Sequence, residues 1–83
     1  MLLITDGNPR IKVKAVSLQF MQGILIEIGL FDSVADFKRA FKQIRDKEGD
    51  RFVYEGKFLE NEWTMAEIGV YDCATIFYMM RLQ

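Results

Sequence analysis

The sequence predicts an α+β domain in which a mixed sheet of about four to five strands packs on one main helix. Three observations carry that reading. "IKVKAV" and "ILIEI" alternate their side chains at the strand period of two. "DSVADFKRAFKQIRDK" changes to the helical period, with Val34, Phe37, Phe41 and Ile44 on one stripe. The closing "TIFYMMRL" alternates again, so that Ile76 and Tyr78 face one way and Phe77 and Met79 the other.

The elements follow in order. "DGNPR", Asp6 to Arg10, is a turn by its chemistry, since Asp-Gly and Asn-Pro both interrupt regular structure. In the strand after it, Ile11, Val13 and Ala15 face inward and Lys12 and Lys14 outward. "SLQFMQG" breaks the alternation, and Ile24, Ile26 and Ile28 then share a face opposite Leu25 and Glu27. The two runs read as a hairpin. The helix is placed from about Ser33 to Asp46. Ser33 and Asp36 have capping-box spacing, Asp32 and Asp36 suit the positive end of the dipole, and Gly49 is a suitable stop. "RFVYEGKFLE" is two short strands around Glu55-Gly56, where glycine takes positive φ. Thr64 caps a brief helical turn that Gly69 ends, and "VYDCA" is a loop before the last strand. One amphipathic helix after a hairpin buries its stripe on one sheet face, with the first and last strands parallel beside it. That arrangement is a β-grasp.

Eighty-three residues make one domain. A chain of this size buries roughly 60–65% of its unfolded surface, an adequate core. The composition, 51% hydrophobic and 28% charged, is that of a folded globule. A net charge of -1 lacks the basic excess of a nucleic-acid binder. No apolar run approaches the ~18 residues of a membrane span. The lone Cys73 cannot form an internal disulfide and fits a reducing compartment. Histidine is absent, which removes the commonest general base and metal ligand. No carboxylate pair stands in a catalytic context. The expectation is a non-enzyme with no cofactor and no metal.

The stretch "RFVYEGKFLENEWTMAEIGVYDCATIFYMMRL" resembles the ubiquitin family without a gap. The matching points are Arg51, the Gly56-Lys57 turn, Leu59-Glu60, Thr64-Met65, Thr75-Ile76 and Arg81-Leu82. Upstream, "IKVKAV", "ILIEI" and "DSVADFK" are similar to that family's first hairpin and helix start. The resemblance runs from about Ile11 to Leu82. It implies a ubiquitin-like domain over residues 10–83, preceded by an extension over 1–9 that either adds an edge strand through the Asp6-Gly7 turn or is flexible. The Ser17 to Gly23 loop is longer and more apolar than the family's, and the segment after the helix is shorter. The family's modifiers and sulfur carriers act through a terminal diglycine, whereas this sequence reads Arg81-Leu82-Gln83. The expectation is therefore a non-conjugated module.

By the same resemblance, the partner-binding positions are Val53, Phe77 and Met79, with Gly56 and Lys57 at the rim and Leu18, Phe20 or Met21 as flanking contacts. Phe77 stands where ubiquitin has a histidine, so the patch is more apolar. The implied partners are proteins with ubiquitin-binding surfaces, such as the proteasome or ubiquitin-pathway enzymes, in cytoplasm or nucleus. No nucleic-acid or membrane partner is implied. Three alternatives stand beside this one. Met1 to Thr5 could cover Phe77 and Met79, the patch could bury itself in an oligomer, or the chain could be a covalent modifier whose diglycine lies beyond Gln83. Other features read as structural. Lys12 and Lys14 could meet an acidic partner, as in Phox-Bem scaffolds, but fit a solvated face. The basic helix residues also fit a solvated face, with Phe37, Phe41 and Ile44 in the core. Cys73 lacks an activating neighbour, and Trp63 packs in its loop.

Overall fold

In the computed structural model, which describes residues 7–18, 23–45 and 51–79, the chain is an α+β domain compatible with a β-grasp. The first hairpin is β1 (Arg10–Ser17) and β2 (Gly23–Gly29), followed by helix α1 (Val34–Arg45). A second hairpin, β3 (Arg51–Tyr54) and β4 (Lys57–Phe58), leads to the single-turn helix α2 (Met65–Ile68) and to β5 (Thr75–Met79). The five strands form one mixed sheet in the order β2-β1-β5-β3-β4. The first and last strands are parallel neighbours at its centre, as the element order predicts.

Register follows the alternation. Ile11, Val13 and Ala15 pair with Ile28, Ile26 and Ile24, so the whole inner set of the first hairpin faces the helix. Phe52 pairs with Tyr78 on the same face. Phe37 and Phe41 of α1 meet these rings edge-on. Phe41 lies 5.3 Å from Phe52 and 4.6 Å from Tyr78, centroid to centroid. Edge-to-face pairs contribute about 0.5–1.5 kcal/mol each beyond their burial. Val34, Phe37 and Phe41 are fully buried, as the stripe predicts.

Ile44 is a correction. It lies at nearly the angle of Phe37 on the helix, yet 54% of it is exposed. The ring cluster ends at Phe41, and the last turn carries Ile44 past it. Periodicity reports the angle of a side chain and not its position along the axis.

The helix starts are tied to each other. The Ser33 amide donates to Asp36 Oδ2 at 3.0 Å and the Asp36 amide to Ser33 Oγ at 3.1 Å, a capping box. Thr64 and Glu67 form the same box on α2, and Gly69 closes it. The next amides of each helix cross to the other. Val34 N–H donates to the Trp63 carbonyl at 2.7 Å, and Met65 N–H to the Asp32 carbonyl at 2.9 Å. Free amides of both first turns are thereby satisfied, and α2 is held against the start of α1.

Asn8 and Pro9 hold the end of β2. The Pro9 carbonyl accepts from Leu30 N–H at 2.7 Å, Asn8 Oδ1 accepts from Phe31 N–H at 2.7 Å, and Asn8 Nδ2 donates to Asp32 Oδ1 at 3.1 Å. Residues 1–6 lie outside the described residues.

Candidate protein-interaction surface

The outer face of the sheet, turned away from α1, divides into two halves. Its β1–β2 half is mostly charged, with the exposed Leu25 opposite Lys14 as its apolar member. Lys12 stands opposite Glu27, and Arg10 reaches both Glu27 and Asp32 at 3.8 Å. Such exposed pairs contribute little to stability and keep the edge soluble. Lys12 and Lys14 thus sit on a solvated face, as the alternation predicts.

The other half is apolar and in register. Gly23 pairs with Val16, Val16 with Phe77, Phe77 with Val53, and Val53 with Phe58. Residues directly opposite one another share a face, so Val16, Phe77, Val53 and Phe58 form one row across four strands. Val53 is half-buried, Phe77 is 36% exposed and Phe58 is 55% exposed. Beside this row Met79 pairs with Arg51. Leu18 follows the end of β1, donating its N–H to the Tyr78 carbonyl at 3.0 Å, and is 46% exposed. The Arg51 guanidinium lies over the Phe58 ring, 5.2 Å from its centroid. Aromatic, methionine and arginine side chains are those enriched at protein interfaces.

The structure therefore brings Val53, Phe77 and Met79 together and places Leu18 beside them. Gly56 is at the hairpin tip, where Glu55 and Gly56 take φ of 54° and 80°. Lys57 is separated from the patch. It pairs with Tyr54, an inner-face residue, and it lines a groove on that side of the hairpin. Alternation within β4 sends Phe58 outward and Lys57 inward. Phe20 and Met21 lie outside the described residues.

Phe58, Val16 and Arg51 are patch members that the sequence reading missed. A signal for Phe58 was present. A two-residue turn at Glu55-Gly56 sets the pairing of Val53 with Phe58. Two residues are too few for alternation to show by itself.

Cys73 is exposed in the loop before β5, with φ 70° and its thiol 3.8 Å from Asp72 Oδ2. Its amide donates to the Lys12 carbonyl at 2.6 Å, which makes the loop a structural link to β1. Among the described residues, no group of three or more His, Cys, Asp or Glu side chains could hold a metal ion. No described helix is long and apolar enough to cross a membrane. No protein-family model matches the chain, and no curated protein does.

Proposed function

We propose that this chain is a ubiquitin-like β-grasp module that docks onto proteins through the outer face of its sheet and performs no catalysis itself. The observation that supports this reading is the in-register row Val16, Phe77, Val53 and Phe58, flanked by Met79 and Arg51. Within the row Val16 is buried and Val53 half-buried, and Phe77 and Phe58 are exposed; exposed apolar side chains grouped on a small domain mark an interaction site. The row lies on hydrogen-bonded strands, so its backbone is already ordered before binding. The partners proposed are proteins that recognise ubiquitin, such as proteasomal receptors or ubiquitin-handling enzymes, in cytoplasm or nucleus.

The test is titration of the isotope-labelled chain with purified proteasomal ubiquitin receptors, followed by amide shifts. Saturable shifts centred on Val53, Phe58, Phe77 and Met79 are expected. Met79→Glu and Val53→Glu should abolish them while the domain stays folded. Unchanged binding by both folded variants would overturn the assignment. Sedimentation of the free chain separates docking from self-association, since a dimer that buries Phe58 and Phe77 would make the row a self-interface.

A further inference from the structure

A second surface lies on the opposite side of the β3–β4 hairpin. A groove of about 300 Å³ opens there between the hairpin and α2. Tyr54, Leu59, Trp63 and Ile68 supply its apolar and aromatic walls, and Glu55, Lys57 and Glu67 its charges. Trp63 is half-buried and Leu59 buried, so the floor is firm. The volume is at the bottom of the range for ligand pockets, which suits one long side chain better than a cofactor.

Charge selects the occupant. Of the charged residues that line the groove, Glu55 and Glu67 stand against the single cation of Lys57, and Glu60 and Glu62 lie in the same stretch of chain without lining it. All five are exposed. Glu67 uses Oε1 to accept from the Thr64 amide at 2.9 Å and so holds its carboxylate in place. Burial raises the pKa of the Tyr54 phenol first, and the charge of Glu55 raises it further. The outer sheet face has the opposite sign, with Arg10, Lys12, Lys14 and Arg51 against Glu27.

We propose that this groove binds a lysine or arginine side chain presented by a partner protein, with the aliphatic stem on Leu59 and Ile68 and the cation between the aromatic walls and Glu55 and Glu67. Long basic side chains pair an apolar stem with a charged head, and aromatic faces attract that head. The site is distinct from the outer-face row, and its occupant differs in chemistry from that of an apolar patch.

The experiment titrates the labelled full chain with capped pentapeptides Gly-Gly-X-Gly-Gly, where X is arginine, lysine, norleucine or glutamate. Trp63 is the only tryptophan, so its indole signal reports the groove alone. Arginine and lysine peptides are expected to shift the Trp63 indole and the Leu59 and Ile68 amides saturably. The norleucine peptide should bind roughly three- to fivefold more weakly, and the glutamate peptide weakest of all. Glu55→Gln and Glu67→Gln should each weaken the basic peptides. Both keep the fold, the first at an exposed hairpin tip and the second because glutamine also serves the capping box. Equal binding of norleucine, a preference for glutamate, or no groove shift at tens of millimolar peptide would overturn the proposal. Shifts confined to Val53 and Phe77 would overturn it too, while leaving the outer-face reading intact.

Discussion

Tyr78 stands edge-on to Phe41, ring centroids 4.6 Å apart, and its hydroxyl is buried without a hydrogen-bond partner among the described residues. A buried hydroxyl without a partner costs about 1–3 kcal/mol. Tyr78→Phe removes that cost and keeps the ring, so urea unfolding should show stability unchanged or higher by about 1 kcal/mol. A clear loss would reveal a partner for the hydroxyl. Phe41→Ala, which removes the ring between Phe52 and Tyr78, should cost roughly 3–5 kcal/mol.

The capping box on α1 gives a pH dependence. The amide of Ser33 holds the Asp36 carboxyl below the usual aspartate range. Burial opposes this, and the Ser33 hydroxyl and Arg39 assist. The unfolded chain therefore binds a proton more readily than the folded one. The stabilisation is complete above the ordinary aspartate value of about 3.9 and is lost as pH falls through the lower folded value. Asp36→Asn should cost about 1 kcal/mol at neutral pH. The difference from the parent should shrink below about pH 4. Thermal unfolding across pH reads both, and a gap that persists in acid would refute the assignment.

Gly29 is where two segments meet. A Cβ there would lie 2.4 Å from Asn8 Nδ2, inside the bonds that Asn8 makes to Asp32 and Phe31. Gly29→Ala must displace Asn8, at a cost of roughly 1–3 kcal/mol. In an Asn8→Ala background the same change should cost almost nothing further. A double-mutant cycle measures this coupling, and additive effects would show that the cost at Gly29 does not come from displacing Asn8.

Phe58→Ala tests the proposed docking role of the outer face separately from stability. Its ring is 55% exposed, and its aromatic contact is with the exposed Arg51. Loss of that contact should cost about 0.5–1 kcal/mol of stability. Partner affinity should fall about tenfold or more if Phe58 anchors the interface. Calorimetry of the variant with a purified ubiquitin receptor gives affinity, and its melting curve gives stability.

The local features of this protein were legible in its sequence. Alternation in "IKVKAV" and "ILIEI" identified the inner faces, Ser33 with Asp36 marked a helix start, and Gly56 marked a turn, because each depends on residues a few positions apart. The row Val16, Phe77, Val53 and Phe58 depends on the pairing of β5 with β1 and with β3, which joins distant stretches of chain, so no local pattern contains it; only its Val53–Phe58 link is local. Tertiary structure alone decided that a groove with α2 forms on the side to which the hairpin sends Lys57, that Ile44 passes beyond the core, and that each helix start donates amides to the other. In each case the deciding quantity is where an element lies relative to its neighbours. Periodicity sets which way a side chain points, and packing sets what it meets.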